Sequence, residues 1–173
     1  MGADGNKITD LGRSSGQNQQ CPWDNASIAG DQGYAPADLY YKDTGVEGFE
    51  KRLLTDLYLL GSLFFFHFSG ISAVHALRMK LRGVPMAGQS FNEDLPYLQH
   101  AFEETLTDLE NDIKKLAGKL SDSIMLMARQ LCEPDPVKRG DPKWKGSVVK
   151  PYDLQRYISG ISLLIGKTEV GLI

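Results

Sequence analysis

The chain has little with which to build an enzyme of a familiar kind. Among its 173 residues are two cysteines, Cys21 and Cys132, and three histidines, His67, His75 and His100. Two cysteines cannot form a disulfide scaffold or a four-thiolate zinc site. They read as free thiols, with a single Cys21–Cys132 bridge as the alternative. No Gly-x-Ser-x-Gly, Gly-x-x-x-x-Gly-Lys or His-Glu-x-x-His occurs, so the nucleophile elbow, the phosphate loop and the zinc-protease helix are all missing. Excess positive charge is missing too: 19 Lys+Arg against 22 Asp+Glu leave a net charge of −3, which excludes a generally polybasic nucleic-acid binder. Residues 1–20 hold no apolar run of the length a secretory signal requires, so the expectation is an intracellular protein. Asn6 stands where the myristoylation pattern begun by Met1-Gly2 asks for Ser or Thr.

What is present is helical patterning, and it begins only after residue 45. Residues 1–45 carry seven glycines, Pro22 and Pro36, and no sustained apolar period, so they read as an extended or disordered N-terminal arm. Trp23, Tyr34, Tyr40 and Tyr41 are spaced along this arm and are candidate anchors on a partner or on the chain's own helices.

From residue 46 to 82, apolar residues recur at three- and four-residue steps, which predicts a helix ended by Gly83-Val84-Pro85. Residues 57–77 contain no formally charged side chain, and Phe64, Phe65, Phe66 and Phe68 make this helix apolar on nearly every face. Such a segment is either the centre of a bundle or a transmembrane helix. Its length fits a span, whereas His67, His75 and several serines and glycines argue for a buried core helix.

A second stripe runs from Leu98 to Leu131 with a mean step of about 3.7 residues, near the helical period. It predicts one long helix over 94–132, with Asp94 as N-cap and the stripe in phase across Gly118; a hairpin broken at Gly118 is the alternative. A last helix is predicted over 151–166, with Pro151 in its first turn and Leu154, Tyr157, Ile158, Ile161, Leu164 and Ile165 on its apolar face. The expected fold is therefore all-α: a bundle of three to four helices, one of them long, behind the N-terminal arm.

Two constellations carry candidate chemistry. His67, His75 and His100, with Glu103 three residues beyond His100, suggest a metal- or haem-binding bundle. The set falls short of a di-iron pattern, since the Glu-x-x-His order is reversed and occurs once. The loop 138–150 gathers Lys138, Arg139, Lys143, Trp144, Lys145 and Lys150, types that hold phosphate and stack on bases. A short basic cluster on an acidic chain is a weak footprint, and nucleic acid is not the expected partner.

The functional expectation is a non-enzymatic helical accessory or scaffold subunit of a multiprotein complex, with no cofactor. It acts through contacts with other subunits or with itself, and residues 57–77 leave membrane association open. Its expected contact residues are Trp23, Tyr34, Tyr40, Tyr41, Phe64, Phe65, Phe66 and Phe68. An arm without a core, a helix longer than a compact domain needs, and a helix apolar on too many faces all call for a surface supplied from outside. The metal- or haem-binding bundle stands as the alternative.

Overall fold

A computed structural model describes residues 28–83, 86, 90–143 and 154–171, together with positions 16, 18 and 26. Among these residues the protein is all-helical. Five helices follow in order: α1 (Gly48–Ser69), α2 (Ala73–Lys80), α3 (Phe91–Ala117), α4 (Ser121–Leu131) and α5 (Gln155–Glu169). Helical backbone runs through the 3-10 turn Gly118–Leu120 as well, giving 41 helical residues from Phe91 to Leu131.

The helix expected over 46–82 is two helices. Gly70 adopts a left-handed conformation, φ 75°, and ends α1, its N–H donating to the Phe66 carbonyl at 3.0 Å. Ser72 then opens α2: its Oγ accepts from the His75 N–H at 3.3 Å and donates to the Gly33 carbonyl at 2.8 Å. Ser62, inside α1, accepts the N–H of Ala73 at 3.0 Å. The two helices meet at 75°, so the charge-free stretch 57–77 is not one rod. No single helix among the described residues is long and apolar enough to cross a membrane, although α1 and α2 taken together as a bent pair are.

The long helical run also differs from expectation. It starts at Phe91, because Ser90 caps it by accepting from the Glu93 N–H at 3.3 Å. The Ser-x-x-Glu spacing of a capping box was available there, ahead of Asp94. The run then reverses at Gly118, whose backbone (φ 49°, ψ −116°) is not helical. Arg129 and Glu103 are 26 residues apart and would be separated by about 39 Å along a straight helix. Instead Arg129 Nη2 donates to Glu103 Oε2 at 2.8 Å. Thus α3 and α4 form an antiparallel hairpin, and Leu116, read as part of the stripe, is 70% exposed beside its turn.

The core is assembled around α3. Phe65 of α1, Val74 and Leu77 of α2, and Leu106, Leu109 and Ile113 of α3 are all buried in one cluster. Where α1 crosses α4, the chain needs Gly61: a Cβ at that position would stand 2.6 Å from both Cys132 Sγ and Leu131 Cβ. A smaller cluster of Leu54, Leu57, Met127, Leu131 and Tyr157 attaches α5 to α1 and α4. Helix α5 begins at Gln155 and continues through Gly166 to Glu169, while the expected start at Pro151 lies outside the described residues.

Part of the N-terminal segment belongs to this core. Ala35, Ala37, Asp38, Leu39, Tyr41 and Val46 are buried, and a 3-10 turn spans Ala37–Tyr40. The Tyr41 ring stands edge-on to Phe91 with centroids 5.4 Å apart, and its hydroxyl donates to Asp94 Oδ2 at 2.9 Å.

Candidate functional site

The apolar residues of α1 and α5 do not all turn inward, and what they leave open is a groove of about 650 Å³. One wall is Leu60, Leu63, Phe64, Phe66, His67 and Phe68 of α1. The other is Ile161, Leu164, Ile165 and Thr168 of α5. Ala117, Leu120 and Ile124 of the α3–α4 hairpin form the rest. His67 and Thr168 are its polar side chains. The Thr168 hydroxyl is spent on its own helix, 3.2 Å from the Leu164 carbonyl. His67 lies edge-on to Phe68 with centroids 5.0 Å apart. The groove therefore offers dispersion and apolar contact, with His67 as the one titratable group among the described lining residues.

Both walls also carry exposed apolar residues. On α1, Leu59, Leu63 and Phe66 are 37%, 61% and 55% exposed. Their spacing, i, i+4 and i+7, places them on one stripe. At the start of α5 and along it, Leu154, Ile158 and Ile165 are 39%, 52% and 53% exposed, and with Ile161 they keep helical spacing. The apolar face expected for this last helix is thus divided: Tyr157, Ile161 and Leu164 pack toward α1 and α4, while Leu154, Ile158 and Ile165 look outward.

The expected contact residues scatter accordingly. Phe66 is exposed on the groove, and Phe64 and Phe68 line it half-buried. Phe65 is 1% exposed and belongs to the core, because its position on α1 faces α3. Tyr41 is likewise buried and cannot reach a partner. Tyr40 holds Arg78, whose Nη2 donates to its hydroxyl at 2.6 Å. Tyr34 is exposed, and Trp23 lies outside the described residues. Leu63, Ile161 and Ile165 also line the groove and lie outside the expected contact set. The signal for them is the absence of charge from Leu57 to Ser69 and again from Tyr157 to Gly166.

Of the basic loop, the described residues place Arg139 inside the fold. Arg139 is fully buried: Nη2 meets Asp38 Oδ1 at 2.6 Å, Nη1 donates to the Leu54 carbonyl at 3.0 Å, and Nε donates to the Glu133 carbonyl at 2.9 Å. Its guanidinium also lies over the Tyr58 ring at 5.1 Å. A cation with these partners has none to spare for an external phosphate. Lys138 pairs with Asp135 at 3.3 Å, Lys143 is exposed, and Trp144, Lys145 and Lys150 lie outside the described residues.

Nor does the fold gather the metal candidates. His67 is on α1, His75 on α2 and His100 on α3, where Nε2 of His100 stands 3.6 Å from Glu104. Glu103 is taken by Arg129. Among the described residues no three His, Cys, Asp or Glu side chains come together as metal ligands. Cys132 is free and buried; burial pushes its thiol well above the ordinary range, so it is held protonated. A smaller cavity of about 280 Å³ holds Asp43, Thr44, Asn92 and Asp135. Its carboxylates are occupied by turns, Asp43 accepting from the Gly45 N–H at 3.3 Å and Asp135 from the Val137 N–H at 3.0 Å.

No known protein family, characterised protein or solved structure matches the chain.

Proposed function

We propose that this chain is a helical accessory subunit that works through protein–protein contact, with the α1–α5 groove as its docking face. One observation carries the reading. Leu63, Phe66 and Ile165, all more than half exposed, line an apolar groove whose described lining holds two polar side chains, and Ile158, 52% exposed, stands three residues before Ile161 of that lining. Scattered surface leucines are ordinary, but a contiguous apolar patch with a concave centre is a feature of interaction sites. Covering each such half-exposed side chain is worth on the order of 1 kcal/mol, about half the value for one that starts fully exposed. Nothing in the groove lining resembles an acid–base pair or a nucleophile with its base, so contact is the chemistry these residues support.

A photo-crosslinking amino acid at Phe66 tests this in cells that express the protein. Adducts to a polypeptide are expected at position 66 and not at Leu126, an equally exposed leucine on α4 outside the groove. Equal labelling at both positions, or none at either, overturns the reading.

A further inference from the structure

Two helices of this protein carry long charge-free runs beside the groove. Neither Leu57–Ser69 nor Tyr157–Gly166 contains a Lys, Arg, Asp or Glu, on the outward faces or the inward ones. A helix that keeps one face in water ordinarily carries charge there. Each helix also carries an outward apolar stripe. Leu59, Leu63 and Phe66 on α1 stand at i, i+4 and i+7, while Ile158 and Ile165 on α5, with Leu154 just ahead of it, stand at i, i+4 and i+11 counted from Leu154. The chain thus carries both halves of a helix-in-groove contact: an apolar groove between two helices, and an apolar helical stripe on its rim.

We propose that the occupant of the groove is a second copy of the same chain, related by a two-fold axis, so that the α5 stripe of each copy seats against α1 of the other. This rests on the reading of the α1–α5 face as a protein-docking surface. The arrangement is isologous: whatever α1 presents to the partner's α5, α5 presents in return to the partner's α1. The area is adequate. A standard interface takes about 800 Å² per partner, roughly 60% of it apolar, or on the order of 500 Å². Six large side chains near half exposure supply roughly 300–500 Å² before the groove floor is counted.

Light scattering on the size-fractionated full chain, at concentrations up to the order of 100 μM, is the test. The expected mass is twice 19.1 kDa. Phe66→Glu and Ile158→Glu each place a carboxylate at two symmetry-related points of the contact. Each is expected to weaken dimerisation about 100-fold or more and to run as a monomer. Leu126→Glu is expected to dimerise like the parent. Circular dichroism confirms that the variants fold, and Ile158→Ser serves in place of any that does not. A parent chain that is monomeric throughout overturns the proposal, and so does a dimer indifferent to both groove substitutions. If the parent is monomeric while a probe at position 66 still labels another polypeptide, only the second-copy inference falls. If neither contact is seen, the docking reading falls with it.

Discussion

Arg139 and Asp38 form an ion pair 101 residues apart in sequence, with side chains 0% and 1% exposed and Nη2 2.6 Å from Oδ1. The pair fastens the N-terminal segment to the loop after α4. Through the Leu54 carbonyl, 3.0 Å from Nη1, it fastens both to α1. A buried pair of this kind contributes little over an apolar replacement, but removing one member strands the other. Asp38→Ala or Arg139→Met is therefore expected to cost about 3–5 kcal/mol. The double variant should cost much less than the sum, since neither charge is then left alone. Urea denaturation of the parent, both single variants and the double variant measures the coupling. Additive losses would show that the pair does not act as a unit.

Gly61 and Gly166 both lie within helices, yet alanine should move stability in opposite directions at the two sites. A methyl group at Gly61 would stand 2.6 Å from Cys132 Sγ and Leu131 Cβ, so α1 and α4 would have to separate. Overpacking of this sort costs about 1–3 kcal/mol. A methyl at Gly166 meets nothing within 4 Å, and the helix there gains up to about 1 kcal/mol from the better helix former. Thermal denaturation of Gly61→Ala and Gly166→Ala, side by side, should show the melting temperature falling for the first and rising for the second.

Three acids are held neutral by the fold. Burial raises the pKa of Cys132, of Tyr58 and of Tyr157; the nearby Cys132 adds to the effect at Tyr58, and Asp141 adds to it at Tyr157. In the unfolded chain a cysteine ionises near 8.5 and a tyrosine near 10. The stabilisation from keeping them protonated is complete below about pH 8.5. It declines as pH rises, first through Cys132 and then through the tyrosines, because only the unfolded state releases protons there. Each group can contribute a slope of up to about 1.4 kcal/mol per pH unit. Denaturation midpoints between about pH 7 and pH 10.5 should fall along the alkaline limb. Cys132→Ala should delay the onset of that fall, and Tyr58→Phe should make it shallower.

The helices were legible in the sequence because period is local information. The stripes at three- and four-residue steps placed α1, α3, α4 and α5 among the correct residues. The breaks were harder, since each is made by residues that also suit a helix interior. Ser62, Ser69 and Ser72 looked like polar dilution of an apolar rod. In the fold Ser62 and Ser72 bond backbone N–H groups at the start of α2, and Ser69 donates to Asp112 Oδ2 at 3.1 Å. At Gly118 one residue leaves the helical region and a short 3-10 turn follows at once, so the apolar spacing in the sequence runs on across the reversal. The candidate site was half legible: a charge-free helix with four phenylalanines announced a surface in search of a cover. Which phenylalanine faces the core and which faces out depends on where α3 and α5 pack, and no local pattern carries that. Arg139 shows the same limit. Its neighbours in sequence are basic and exposed, while its partner is Asp38, brought to it by the whole fold.

The reversal at Gly118 makes a prediction whose sign separates hairpin from rod. In a continuous helix from Phe91 to Leu131, Gly118→Ala would remove a poor helix former from an interior position and stabilise the protein by about 1 kcal/mol. In the hairpin, residue 118 has φ 49° and ψ −116°, a conformation that a side chain at Cβ resists. Nothing lies within 4 Å of the added methyl, so strain in the backbone itself sets the outcome. The substitution is expected to cost about 1–3 kcal/mol. Spin labels at cysteines replacing Glu103 and Arg129, with Cys21 and Cys132 removed, report the geometry directly. A surface ion pair is all that those two replacements remove, at about 0.2–1 kcal/mol. Labels close to one another across the two helices, rather than near the roughly 39 Å of a straight rod, are expected in the parent turn. A stabilised Gly118→Ala variant with widely separated labels would mean that α3 and α4 are one helix.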